Sequence, residues 1–292
     1  MRLSILIPTF NYPVLPLVKT LSEQGDLLDI SYEIIVADDA STDDSPMVNQ
    51  DINLLPHCRF IIQEQNMGRA RIRNWLAEQA SGDLLLFMDC DALVTSPDFI
   101  SRYVCMVSEA PVLCGGLRHP ETLPHPDVTL RYRYEKEADR HRSADCRKQT
   151  PYERFSTFCF AIRRSTFLSI KFDENCREYG HEDTFFGEEL KRQNIPICHF
   201  ENPLIHMGLE PNHIFLKKTE VALRSLHLHA DKLGTSARIH RTFLQLQRFG
   251  LVWLVRAQHR LFAPLWRRNL LGKHPNLSLF ALYKLGYYTS LH

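Results

Sequence analysis

The sequence predicts an α/β protein with a mostly parallel sheet flanked by helices, followed by a helical, basic C-terminal extension. Two observations carry the sheet. Four short apolar runs recur between Leu3 and Asp89 with helix-patterned stretches between them, which is β-α-β order. The runs are continuous rather than alternating, as expected of strands covered on both faces. A third observation carries the extension. From Lys232 to His292 there are ten basic residues and no Asp or Glu, whereas the rest of the chain holds 25 basic against 34 acidic residues. The net charge of +1 conceals this asymmetry.

In order, "LSILIP" (Leu3 to Pro8), "YEIIVAD" (Tyr32 to Asp38), "CRFIIQ" (Cys58 to Gln63) and "DLLLFMD" (Asp83 to Asp89) read as strands. "YPVLPLVKTLSEQ" and "GRARIRNWLAEQAS" read as helices between them. Gly116 to Thr150 is charged and aperiodic, and reads as a long irregular insertion over the acceptor side. Its histidines His119, His125 and His141 match no metal-ligand spacing and read as loop residues. "FSTFCFAIRRSTF" reads as a return strand with Cys159 in the core, and "IPICHF" as a further strand. Two helices follow, about Asn212 to Lys232 and Thr235 to Leu261. In the second, Arg241, Gln245, Arg248, Arg256 and His259 form a stripe beside a broad apolar face. Such a helix either docks on an anionic membrane surface or packs on the body with its basic face solvated. No nucleic-acid recognition motif accompanies the charge.

With 292 residues, 44% of them hydrophobic, the chain can bury a sizeable core. Eight scattered cysteines without a C-x-x-C pair suit free thiols in a reducing compartment. "MRLSILIPTF" is too short an apolar stretch for a signal peptide or a membrane span, so the expected location is cytoplasmic.

Ligands of such sheets bind beyond the carboxyl ends of the strands, and those ends carry the candidate chemistry. The second strand ends in "ADDASTDDS". Ser41 to Ser45 fit a turn and helix cap, but the adjacent Asp38 and Asp39 repel one another unless donors satisfy them, and one is expected to accept from a bound group. The fourth strand ends in "MDCDALV". At i and i+2 of an extended segment, Asp89 and Asp91 project to one side, and at roughly 4 Å they would repel by about 4 kcal/mol. A shared Mg²⁺ or Mn²⁺ relieves that, while an Asx-turn before "SPDFI" is the plainer alternative. In "YGHEDTFFGEEL", Glu182 and Asp183 after Gly180 fit a helix start, where carboxylates gain from the helix dipole.

Taken in order, "SILIPTFN", "EIIVADDASTDDS", "NMGRARIRNWLAEQASGDLLLFMDCDALV", "GHEDTFFGEELKR" and "NPLIHMG" resemble the family 2 glycosyltransferases, enzymes of GT-A fold that use nucleotide-sugar donors. The likeness spans about the first 210 residues. It implies a catalytic domain at 1–210, with a nucleotide-sugar half at about 1–115 and an acceptor half at about 116–210, and the basic helical extension at 211–292. It implies that Pro8, Thr9, Asn11 and Asp39 hold base and ribose, that Arg73 faces the donor, and that Asp89 contacts both ribose and metal. Asp89, Asp91 and His206 would be metal ligands. Asp183 would be the general base, with Glu182 as the other holder of that role. For Arg69, Arg71 and Arg73 a solvated helix face is the plain alternative, and for His206 a satisfied core histidine.

The expected function is thus metal-dependent, inverting transfer from a nucleotide-sugar, a UDP-sugar by preference, to a saccharide or lipid-linked saccharide in surface polysaccharide biosynthesis. The expected cofactor is Mn²⁺ or Mg²⁺. The expected location is cytoplasmic, on the inner face of the plasma membrane if the extension docks there. A nucleotidyltransferase would need a Gly-rich phosphate loop after the first strand, which "PTFNYP" lacks. A non-catalytic nucleotide-sugar-binding module would keep Asp39 but has no use for Glu182 and Asp183.

Overall fold

Each of the four apolar runs is a strand, and the first lies at the heart of the sheet. In the computed structural model, which describes residues 1–174, 182–228, 230 and 238–292, β1 (Arg2–Thr9) buries Leu3 to Ile7. It pairs in parallel with β2 (Ser31–Asp38) on one side and β4 (Leu84–Met88) on the other. Beyond β2 lies β3 (Cys58–Ile62), also parallel. Beyond β4 come β8 (Cys159–Arg163), antiparallel to both its neighbours, then β6 (Val112–Cys114) and β9 (Ile197–His199). The order is β3-β2-β1-β4-β8-β6-β9, a mostly parallel sheet among the described residues. A small second sheet joins β5 (Ala92–Leu93), β10 (Leu204–His206) and β7 (Leu117–Arg118). In it, His206 lies opposite Ala92, next to the turn that carries Asp91.

Helices cover both faces. Leu17, Val18 and Leu21 of α1 (Leu15–Gly25) pack on one side of the sheet, with α2 (Ser45–Asn49) nearby in sequence. On the other side, Ile72 and Leu76 of α3 (Arg69–Gln79) share a core with β2, β4 and β8. The same core takes Phe186 and Leu190, four residues apart on α8 (Glu182–Arg192). Phe186 stacks on Phe172 at 4.4 Å between ring centroids, and Phe87 stacks on Phe160 at 5.0 Å. This aromatic cluster fixes the helix that carries Asp183 onto the sheet that carries Asp89. Helices α4 (Phe99–Cys105), α5 (Thr129–Asp139), α6 (Ala144–Lys148) and α7 (Arg164–Ile170) complete this part of the chain.

Three sequence expectations change. The stretch from Gly116 to Thr150 is not an irregular insertion: it contains β7, a short 3-10 turn, α5 and α6. Its aperiodic charge reflects ion pairs such as that of Arg131 with Glu210, and His119 is a buried residue hydrogen-bonded to Asp139 at 2.9 Å rather than a loop histidine. The return strand is shorter than read, because Arg164 to Ile170 turn into a helix. The helix expected from Thr235 to Leu261 is two. Residues 235–237 lie outside the described residues. Helix α10 (Arg238–Arg248) stops before Gly250, whose φ of +67° favours glycine, and α11 (Val252–Leu270) follows. The other helix of that pair, α9, is Asn212–Leu228, and a further helix, α12 (Leu277–Ser290), was not foreseen.

The described residues fall into two compact units. One comprises 1–118, 141–174 and 182–208, with both sheets. The other comprises 119–140, 209–228, 230 and 238–292, and its core joins Leu130, Leu216, Leu270, Phe280 and Tyr283. Of the eight cysteines, Cys176 lies outside the described residues and the other seven are free thiols.

Asn49 holds the loop after β1. Fully buried, it accepts from the Val14 N–H at 2.8 Å and donates to the Tyr12 carbonyl at 3.0 Å. Asn49→Leu should therefore lower stability by about 1–3 kcal/mol, because both backbone groups lose their partner. Urea denaturation of the two proteins tests this, and an unchanged midpoint would show that the loop is held elsewhere.

Candidate active site

Polar and charged side chains gather at the carboxyl ends of β1, β2 and β4. After β1 the chain turns sharply, with Asn11 in the left-handed region at φ +51°. The Asn11 side chain accepts from the Thr42 N–H at 2.8 Å, and its own N–H donates to Ser41 Oγ at 2.7 Å. Asn11 thus ties the first strand-end loop to the second. Thr9 is buried beneath it, and Pro8 completes the strand.

The two carboxylates after β2 divide their work. Asp38, wholly buried, accepts from the Ser41 N–H through both oxygens at 3.1 Å and so closes its own turn. Asp39 turns the other way and accepts from the N–H groups of Met67 at 2.6 Å and Gly68 at 2.9 Å, just ahead of α3. Burial, together with the charge of Asp38, leaves the Asp39 carboxyl above its usual range despite those two donors. A carboxylate has about four acceptor positions, so Asp39 retains capacity for a further donor. The donors that the protein itself supplies to Asp38 and Asp39 are backbone N–H groups.

The aspartates after β4 do not lie on an extended segment. The Ala92 N–H donates to the Asp89 carbonyl at 3.3 Å, so Asp89, Cys90 and Asp91 form a tight turn and the two side chains take separate partners. Asp89 meets Arg73 Nη2 at 2.5 Å. Asp91 Oδ2 lies 3.1 Å from His206 Nε2, and His206 packs edge-on against Phe158 at 5.0 Å. Burial pushes the Asp89 carboxyl up, and Arg73 and Arg69 only partly offset it. Cys90 between them is pushed up to about 12 by burial and both aspartates, which leaves it a neutral thiol.

Arg73 is not on a solvated face. Its side chain is 3% exposed, against 49% for Arg69 and 51% for Arg71. Its Nη1 donates to the Arg69 carbonyl at 3.1 Å, while its buried Nε has no partner among the described residues. One turn earlier on the same face, Arg69 pairs with Glu182 at 3.0 Å. Arg71, on the other side of the helix, makes only a surface pair with Glu174. A line of charge therefore runs from Asp89 through Arg73 and Arg69 to the start of α8.

At that start, neighbouring carboxylates have opposite environments. Burial alone would raise Glu182, but Arg69 and Arg73 bring it below its usual range. Asp183 gains less from Arg69; burial and the adjacent Glu182 raise it to about 6. Its Oδ1 accepts from the Thr184 N–H at 2.7 Å. Asp183 lines a cavity of about 220 Å³ with Arg142, Arg147, Arg154, Ser156 and Phe158. Gly180, the glycine read as part of this helix start, lies outside the described residues.

The donor set fits a hard divalent cation. A carboxylate oxygen and an imidazole nitrogen face each other at Asp91 and His206, with a second carboxylate two residues away, and such ions take one or two protein carboxylates and fill their shell with water and phosphates. No cluster of three or more metal-binding side chains is preassembled among the described residues, since Asp89 is engaged by Arg73.

Two residues escaped the sequence reading, and a third, Arg69, was read there with Arg71 and Arg73 but not as the partner of Glu182. Tyr12, whose hydroxyl is pushed up by burial and by Asp91 and Cys90, borders the acidic turn. Gly208 leaves room for Asp91: a methyl group there would stand 1.8 Å from Asp91 Oδ2. The only signal for Gly208 was its place in "HMG".

The mostly parallel sheet with helices on both faces and polar strand ends defines a protein of GT-A fold. Residues 4–170 match the family model for glycosyl transferase family 2, and the chain belongs to that family. It is 24% identical to chondroitin synthase of Escherichia coli over 68% of this chain, but spans only 33% of that relative. Its structure resembles the mannosyltransferase PcManGT from Pyrobaculum calidifontis in complex with GDP-Man and Mn²⁺, at TM-score 0.58 and 13% identity, covering 99% of this chain and 84% of that one. It also resembles S. aureus TarS 1-349 in complex with UDP-GlcNAc, at TM-score 0.51 and 18% identity, covering 99% and 90%.

Removing Arg73 should cost more than removing Arg69. Arg73→Ala leaves the half-buried Asp89 carboxylate without its guanidinium and is expected to lose about 2–4 kcal/mol, whereas Arg69→Ala, which removes a half-exposed side chain, should lose clearly less. Urea unfolding at neutral pH measures both, and equal losses would refute the hierarchy.

Proposed function

We propose that this chain is an inverting glycosyltransferase that moves a sugar from a nucleotide-sugar, a UDP-sugar in the first instance, to a hydroxyl of a saccharide or lipid-linked saccharide. The assigned process is surface polysaccharide assembly, and the assigned place is the cytoplasmic side of a membrane. The observation that carries the chemistry is the divergence of Glu182 and Asp183. Two adjacent carboxylates with opposed environments mark an acid/base pair of roles. Glu182 is committed to Arg69, which leaves Asp183, facing a cavity, as the base.

The strand-end loops bind the donor. Thr9, Asn11 and Asp39 border the base and ribose, and Pro8 fixes the strand end beside them. Arg73 keeps its Nε–H for the donor side while its other donors hold the acidic turn. Asp91 and His206, with Asp89 beside them, would hold Mn²⁺ or Mg²⁺, whose charge when bound offsets that of the departing nucleoside diphosphate. Mn²⁺ in the related mannosyltransferase complex supports that assignment. Asp183 takes the proton from the acceptor hydroxyl as that oxygen attacks the anomeric carbon from the face opposite the leaving group, which inverts the centre. The donor is therefore assigned to the strand ends and the acceptor hydroxyl to the start of α8.

Asp183→Asn should cut transfer by a factor of about a hundred or more with donor affinity nearly unchanged, because the amide keeps the shape and loses the base. Purified protein, a panel of nucleotide-sugars, Mn²⁺ and a nucleotide-release readout form the assay. Normal turnover by the variant would remove Asp183 from the mechanism.

The pH profile gives a second check. The base works deprotonated, and its carboxyl is raised to about 6, so transfer should fall as pH drops through about 6 rather than through the ordinary aspartate range. A profile flat down to the ordinary range would contradict the assignment.

Gly208→Ala tests the cation site without touching a ligand. The added methyl displaces the Asp91 carboxylate from His206, so Mn²⁺-dependent donor binding should weaken about tenfold while the melting temperature moves little. Calorimetric titration of donor with and without EDTA reads this; unchanged affinity would separate Asp91 from the cation.

A further inference from the structure

Helix α11 is apolar on two opposite faces. Val252, Val255, His259, Ala263, Trp266 and Leu270 recur at three- and four-residue steps and are buried or half-buried, and His259 lies against Gly286 of α12. That face is the ordinary core side of the helix. On the far side, Trp253, Leu254, Leu261 and Leu265 fall on one face of the helix, and they are 68%, 42%, 69% and 62% exposed. A bare second stripe of large apolar side chains is not explained by the packing of this unit.

The charges around the stripe are all of one sign. On an α-helix Arg256, Arg260 and Arg267 fall along one flank of it, and Arg268 falls within its last turn. No Asp or Glu occurs from residue 238 to 292. Arg267 reaches back to Glu220, but Arg260 and Arg268 have no carboxylate partner among the described residues. The preceding turn adds Phe249, 73% exposed, beside Arg248. No described helix is long and apolar enough to cross a membrane.

We propose that the outer face of α11 lies on an anionic lipid surface, with Trp253, Leu261 and Leu265 inserted at the headgroup boundary and Arg260 and Arg268 on lipid phosphates. Each part of the stripe has a counterpart there. Leucine side chains leave water for acyl chains, the tryptophan suits the interface, and the long arginine stems let their charges stay at headgroup level. A second copy of the chain is a poorer occupant, because a symmetric contact on this face would bring like-charged arginine flanks together with no acidic residue to offset them. Nucleic acid would satisfy the arginines and leave the leucines in contact with phosphate and water. The inference stands on this helix alone and is independent of the catalytic assignment. The sequence expectation put the apolar face on one helix from Thr235 to Leu261; Phe243 of α10 is buried, and the exposed stripe lies on α11.

The test is flotation of the full chain with vesicles of phosphatidylcholine alone or mixed with phosphatidylglycerol. The wild type should float with the mixed vesicles and not with the neutral ones, and added salt should weaken it. Leu261→Asp with Leu265→Asp should reduce partitioning at least tenfold. Arg260→Gln and Arg268→Gln should each reduce it by about fivefold. These side chains are exposed, so circular dichroism and the melting curve of each variant should match wild type, and that comparison removes misfolding as a cause. Equal binding to both vesicle types, or undiminished binding by the double aspartate variant, would overturn the proposal. So would a concentration-dependent dimer in sedimentation that the same variant disperses without any vesicle binding, which would assign the face to a second copy.

Discussion

The contact between Arg73 and Asp89 is the constraint on which the rest of the catalytic unit depends. A carboxylate at the end of a buried strand is costly, and a guanidinium 3% exposed is costly too; each is tolerable because of the other. Their pairing fixes the rotation of α3 on the sheet. That rotation places Arg69 toward α8, and Arg69 in turn holds Glu182. The packing of Phe186 against Phe172 and Phe160 sets the same helix from beneath. Polar and apolar contacts therefore agree on where α8 begins.

That agreement gives two neighbouring carboxylates unlike chemistry. The Glu182 side chain is drawn to the arginine ladder and stays charged, whereas the Asp183 side chain, one residue on, turns to a cavity where its charge is disfavoured. A helix start already favours negative charge, so the N-terminus of α8 tolerates both. The result is one carboxyl raised to about 6 beside another held below its usual range.

The sheet was legible because its strands are continuous apolar runs, and such runs have few alternatives. The strand-end residues were legible as places: Asp39, Asp89, Asp91 and His206 all lie where the sequence pointed. Their partners were not legible. Nothing in the order of residues says that Asp39 bonds to Met67 and Gly68, or that the turn at Cys90 sends Asp89 and Asp91 to different neighbours. Those pairings come from tertiary approach. The misread stretches failed for identifiable reasons. Charge pairing hid the helix at Thr129–Asp139, and a single glycine split a helix whose periodicity continues across the break.

Arg69 and Arg73 work as a pair through their spacing of four residues, one turn and a little more of helix. A single residue gained or lost between them would rotate one guanidinium by about 100° relative to the other. Either Asp89 or Glu182 would then lose its partner, although every side chain of the site was still present. The segment from Gly68 to Asn74 is thus tolerant of changes in residue type on its outer side, at Arg71, and intolerant of changes in length. Lineages descended from this chain should keep the count of residues in this one turn fixed.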